Sequence, residues 1–202
     1  MPDRKLTISR YKSRYDKGKK LAVQKYSWDQ IVELLTSFKV TNETFEEYQS
    51  MEPTDKLAIK DVGYFVGGEF DPPLRKAQNL RSRSVLTLDL DHLEAWDIDE
   101  VRRCYSSFAY VIHSSHSHSE EHPRLRIVFP MTRDVTPEEY EPLARMVAKK
   151  LDMELFDDTT YQFSRVMFLP SRAVDGDEFA EENFGEWIDP DYTLSKYKDW
   201  RD

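Results

Sequence analysis

Between Trp28 and Phe38 the apolar residues Trp28, Ile31, Val32, Leu34, Leu35 and Phe38 recur at helical spacing, which predicts an amphipathic helix. Residues 42–51 and 53–60 read as two more short helices, with Thr41 and Thr54 near their starts. Gly63, Gly67 and Gly68 bracket the apolar run Tyr64-Phe65-Val66, and Pro72-Pro73 leads into a basic stretch from Leu74 to Arg83. This reads as a strand or turn followed by a charged loop. From residue 84 the period changes: 84–91 alternate like a strand, 97–106 are helical with Asp97 as candidate cap, and 108–113 and 125–129 are strand-like. Thr136-Pro137-Glu138-Glu139 places a capping threonine, a first-turn proline and a glutamate three residues past the cap, so a helix starts there and runs to about Leu151. Residues 166–169, closed by Pro170, give a last short strand. The β-α-β-β-α-β order implies an α+β fold with a largely antiparallel sheet and helices on one face.

Composition narrows the class. The 202 residues are 39% hydrophobic and 13% aromatic, enough for one folded domain with a sizeable core. No apolar run approaches the ~20 residues that span a bilayer, and the first residues lack the apolar centre of a signal peptide. A cytoplasmic protein with no membrane partner is expected. Cys104 is the only cysteine, which leaves no internal disulfide and no cysteine-based zinc site. The net charge of −9 at first opposes a nucleic-acid partner, but it is unevenly spread. Residues 1–25 carry nine basic side chains against Asp3 and Asp16, so residues 1–27 read as a basic arm, either a solvated terminus or a phosphate contact. Residues 28–202 then form a single domain.

Three segments carry candidate chemistry. In Val85-Leu86-Thr87-Leu88-Asp89-Leu90-Asp91, strand alternation puts both carboxylates on one face, roughly 7 Å apart. Aspartates are disfavoured in strands and repel each other, and a divalent cation would relieve that repulsion; alternatively the strand ends near Asp89 and both side chains cap a turn. In the second segment, four of the five histidines fall between His113 and His122, ahead of Arg124 and Arg126. A hairpin there would share one face among Ser114, His116 and His118 and gather them with the arginines, which suits phosphate oxygens. The third segment, Phe156-Asp157-Asp158-Thr159-Thr160, offers another acidic pair, with Arg165 opening the strand that follows; its plain alternative is a turn. A third carboxylate would complete a two-metal cage. No phosphate-binding P-loop and no His-Glu-x-x-His zinc motif is present. His116-Ser117-His118 is also compatible with one metal of a nuclease that uses a tyrosine nucleophile, Tyr140 or Tyr161.

Together the segments resemble the three motifs of the archaeo-eukaryotic primase superfamily, the primase-polymerases, in their bacteriophage and prophage branch. Leu88-Asp89-Leu90-Asp91 matches its Asp-x-Asp strand end, Ser114-Ser115-His116 its small-x-His, and Phe156-Asp157 its apolar-acid pair. Similarity extends to Lys60-Asp61-Val62-Gly63-Tyr64-Phe65-Val66-Gly67-Gly68, to Pro123-Arg124-Leu125-Arg126, and to Ser164-Arg165-Val166-Met167-Phe168-Leu169-Pro170, so it spans most of the chain from residue 28. The resemblance implies an RRM-like core over 84–190, its mostly antiparallel sheet flanked by helices, behind an N-terminal helical part over 28–83. It implies template-directed DNA primase/polymerase activity, with Asp89, Asp91 and Asp157 holding two Mg²⁺ or Mn²⁺ ions and His116 contacting the phosphates of the incoming nucleotide. Ser114, His118, Arg124, Arg126 and Arg165 are further nucleotide-binding candidates from their facing positions. Asp158 competes with Asp157, and Arg75 and Lys76 supply basic charge nearby. The implied partners are a DNA template and primer, nucleoside triphosphates, and a replicative helicase or C-terminal helicase domain, in the cytoplasm of a bacterial host. The competing readings are a replication-initiator endonuclease of the His-x-His type and a non-catalytic nucleic-acid-binding module.

Overall fold

The computed structural model describes residues 4–13, 22–95 and 97–197. The chain runs through β1 (Leu6–Tyr11), β2 (Ala22–Tyr26), α1 (Trp28–Thr36), β3 (Lys39–Val40), α2 (Phe45–Ser50), α3 (Pro53–Ile59), β4 (Tyr64–Val66) and β5 (Gly68–Phe70). It continues with β6 (Leu80–Leu90), α4 (Asp97–Tyr105), β7 (Tyr110–Ser114), β8 (Leu125–Val135), α5 (Pro137–Ala148), β9 (Met167–Phe168), β10 (Ser171–Arg172), β11 (Ala180–Asn183) and α6 (Pro190–Ser195). Five strands form the central sheet in the order β11-β7-β8-β6-β5, and a second sheet has the order β2-β1-β4-β9. Both are antiparallel; β3 and β10 add a short parallel pair.

Alternation along β6 divides the core. Leu86, Leu88 and Leu90 pack with Val101 and Tyr105 of α4 and with Tyr140, Leu143 and Val147 of α5. Val85 points the other way and joins Val111 and Val128 against Trp28, Ile31 and Leu35 of α1 and Leu6 and Ile8 of β1. The expected single helical face is therefore corrected: α4 and α5 cover one face, while α1 and the second sheet cover the other. Burial of these aliphatic side chains, about 1.5–3 kcal/mol each, is what holds the layers together.

Local signals explain most boundaries. Ser27 and Gln30 form a reciprocal capping box that starts α1. The helix ends before Phe38, where Ser37 turns to extended backbone, and the Thr36 and Ser37 hydroxyls bond the carbonyls of Val32 and Glu33 near that end. Thr44 caps α2 instead of Thr41, whose hydroxyl is engaged by Glu43 and the Arg172 carbonyl.

Three expectations change. The arm proposed for 1–27 includes β1, where Leu6, Thr7, Ile8 and Ser9 are buried, and β2 beside it; residues 14–21 of that arm lie outside the described residues. Net charge concealed the alternation of Leu6 and Ile8. The last four residues of the expected charged loop belong to β6, which crosses the 83/84 boundary, and the part read as helical also holds β3, β4 and β5. A Cβ at Gly68 would lie 2.0 Å from the Ser82 carbonyl oxygen, so glycine is what lets β5 approach β6 this closely. Finally, β9 pairs with β4 and not within the central sheet, whose edge beside β6 is taken by β5.

Arg83 is fully buried. Its guanidinium donates to the carbonyls of Gly67 and Phe163 and to the Thr87 hydroxyl, and lies 4.3 Å from the Tyr140 ring centroid. It faces the interior, not phosphate.

Candidate active site

Asp89, near the end of β6, and Asp91, just beyond it, point to the face opposite Leu88 and Leu90, as alternation requires. The backbone N–H of Asp157 donates to the Asp89 carbonyl at 3.0 Å, and the Thr160 hydroxyl accepts from the Asp89 N–H at 2.8 Å. These two bonds dock the 156–161 segment on β6. One carboxylate oxygen from each of Asp89, Asp91 and Asp157 then falls within 4.8 Å of the others. Asp158, one residue on, is exposed and outside this group.

Arginines surround the triad. Arg126, opposite Asp89 in the β6–β8 register, places Nε 3.3 Å from Asp89 Oδ1; Arg124 lies 3.5 Å from Asp91; Arg165 lies 2.9 Å from Asp157 and 3.8 Å from Asp89. Burial pushes the Asp89 carboxyl above the usual carboxylate range; Arg126 and Arg165 oppose this, and Asp91 and Asp157 reinforce it. Burial also acts upward on Asp157, but hydrogen bonds from the Thr159 side chain and backbone, with the charge of Arg165, outweigh it and hold the group low. Asp89 Oδ1 is buried and accepts no hydrogen bond. A buried, unbonded carboxylate oxygen beside two more carboxylates is a hard-oxygen donor set that fits Mg²⁺ or Mn²⁺.

The triad forms part of the wall of a cavity of about 1090 Å³, which Arg124, Arg126 and Arg165 also line. Lys60, Phe45 and Gln49 from the α2–α3 region, and Ser115, Ser117 and His122 from the loop after β7, complete much of the rest. Sequence reasoning missed Lys60, Phe45 and Gln49, because nothing local in α2 or α3 marks the face that tertiary packing turns toward β6. Burial, with the charges of Arg126 and Arg165, lowers the Lys60 ammonium below its ordinary value against the pull of Asp89 and Asp91.

The histidines are placed differently from expectation. β7 ends at Ser114 and the chain turns, so Ser114, His116 and His118 do not share an open face. The Ser114 hydroxyl accepts from the Phe179 N–H, and His118 Nδ1 accepts from the Arg124 N–H. The His116 side chain is 1% exposed, with Nε2 2.9 Å from Glu43 and Nδ1 2.9 Å from the Ser171 hydroxyl. Burial lowers its pKa, while the hydrogen bond to Glu43 and the charge of Glu43 pull the other way. The ring also packs 4.4 Å from Tyr48, whose hydroxyl meets Ser117. His116 thus ties the loop to α2 and β10 and does not line the cavity. Arg75 lies over the Tyr11 and Tyr64 rings, and neither it nor the exposed Lys76 lines the cavity. The nuclease geometry does not assemble: His116 and His118 have separate partners, and Tyr140 and Tyr161 are buried in the core.

His113 is fully buried beside Arg126, and burial followed by that charge pushes its pKa down to about 3. The unfolded chain therefore binds a proton near pH 6.5 that the native state refuses, so stability falls as pH drops below 6.5, by about 1.4 kcal/mol per pH unit for this one group. Urea unfolding at pH 7 and pH 5.5 checks this: His113→Gln is expected to lose less stability on acidification than the parent chain, and an equal loss would refute the assignment.

Among solved structures, the AEP domain (PP-N190) of the cyanophage S-2L primase-polymerase (PrimPol) superposes with a TM-score of 0.50 at 14% identity, covering 95% of this chain and 88% of that one. The chain belongs to the VapE N-terminal domain family, which it matches over residues 1–202. No curated protein matches its sequence. No helix of the described residues is long and apolar enough to cross a membrane.

Proposed function

We propose that this domain is a template-directed DNA primase/polymerase of phage or plasmid replication. It would join a nucleoside triphosphate to a 3′-hydroxyl on a DNA primer and release pyrophosphate. The observation that carries the reading is the convergence of Asp89, Asp91 and Asp157 on one wall of an arginine-lined cavity, with Asp89 Oδ1 buried and unbonded. These carboxylates would hold two Mg²⁺ or Mn²⁺ ions. When bound, such ions activate the attacking oxygen and stabilise charge on the phosphate and leaving group.

The chain's own residues supply position and charge. Asp89 is fixed by the β6–β8 ladder, Asp91 follows directly on the end of β6, and Asp157 is held by its backbone bond to Asp89, so the cage is organised by the fold. Arg124, Arg126 and Arg165 neutralise the triad and provide guanidinium donors for phosphate oxygens. His116 acts from behind, holding the loop that brings Ser115 and Ser117 to the cavity. A replicative helicase, as a separate protein or an attached domain, would deliver the template.

Extension of a labelled primer–template by the purified chain with Mg²⁺ or Mn²⁺ and all nucleoside triphosphates tests the reading. Metal-dependent products longer than the primer are expected. Binding of DNA without any nucleotide incorporation in either metal would favour the non-catalytic module.

A further inference from the structure

The lysine and arginines around the cavity differ in one respect. Arg124, Arg126 and Arg165 each lie against a carboxylate of the triad, whereas among the described residues no carboxylate is within ion-pair distance of Lys60. Its ammonium sits 5.5 Å over the Phe168 ring, a contact that steadies the side chain and uses none of its three N–H donors.

The fold fixes Lys60 firmly. It follows directly on α3, and its N–H bonds back to the Lys56 carbonyl. Gly63 then turns the chain into β4 with φ +110, where an added Cβ would lie 3.0 Å from the Tyr11 carbonyl oxygen, and the Gly63 carbonyl accepts from the Leu169 N–H. Tyr64 pairs with Phe168 across the β4–β9 ladder, and the Phe168 carbonyl accepts from Arg126. Lys60 is therefore coupled through one residue to the arginine that faces Asp89. An arriving polyanion meets the arginines already engaged and Lys60 with its donors unspent.

We propose that Lys60 binds phosphate oxygens of the nucleoside triphosphate in this cavity, a role that rests on the nucleotide-addition reading above. Phosphates of a DNA backbone have the same chemistry, so the test separates the two sources. Fluorescence anisotropy on the whole chain, with Mn²⁺ present, measures affinity for a non-hydrolysable nucleoside triphosphate, for the matching monophosphate and for a labelled primer–template. Lys60→Gln is expected to weaken the triphosphate about tenfold, the size of one lost charge-assisted contact. Monophosphate and DNA affinities and the melting temperature should stay close to those of the parent chain, and Lys60→Arg should restore most of the triphosphate affinity. Unchanged triphosphate affinity in Lys60→Gln overturns the proposal and leaves the enzymatic reading standing. So does an equal loss for mono- and triphosphate, which marks a structural role, or a loss confined to DNA. A parent chain that binds no nucleotide removes both the enzymatic reading and this one.

Discussion

Replacing Asp89 and Asp91 together by asparagine should lower metal-dependent primer extension by about a thousandfold or more while leaving the chain folded. Asparagine keeps the shape of each side chain, so β6 and its ladder to β8 are retained. What disappears is the negative charge that would hold two cations in the cavity. Asp89 is 5% exposed, and Arg126 and Arg165 would keep a polar neighbour but lose its charge. Some stability is therefore lost with the attraction and some regained as the repulsion between Asp89 and Asp91 ends. Circular dichroism melting separates folding from chemistry, and a folded double variant that extends primers at the parent rate would dismiss the metal role.

Asp157 and Asp158 provide a sharper contrast, because adjacent identical residues should differ by about a hundredfold or more in their effect. Asp157→Asn removes one carboxylate of the triad and the partner of Arg165, yet an amide oxygen there still accepts from Thr159, so the turn survives. Asp158→Asn alters an exposed side chain outside the group and should leave extension within about twofold. Primer extension over a range of Mn²⁺ concentrations reads both variants. Equal losses, or the reverse order, would assign the third ligand elsewhere.

Much of this site was legible in the residues. Strand alternation placed Asp89 and Asp91 on one face, and the family's apolar-acid pair, matched by Phe156-Asp157, favoured Asp157 over Asp158, the residue the fold leaves outside the cluster. Arg124 and Arg126 were grouped because they alternate with Leu125 and Ile127, and the register with β6 sets Arg126 against Asp89. What failed had a common cause. His116 was assigned an open face by extending β7 past Ser114, but its partners Glu43 and Ser171 are distant in sequence, and no local pattern announces them. Lys60 opened a segment similar to the family but received no role, for the same reason. The strand in Leu6–Tyr11 was hidden by charge, because four described basic residues, Arg4, Lys5, Arg10 and Lys12, flank or interrupt an alternation that is short but complete. Local periodicity reports which way a side chain points and not what arrives to meet it.

Arg83 carries a practical consequence for dividing this chain. The 83/84 boundary that the family resemblance implied runs through β6, directly after a guanidinium bonded to Gly67 on one side and to Thr87 and Phe163 on the other. A fragment ending there would carry a cation stripped of most of its donors' partners, and the fragment beginning there would open on half a strand. Residues 28–83 and 84–190 are accordingly expected to fail as separate expression units, and any smaller folded core would have to be trimmed from the outer edges of the sheets.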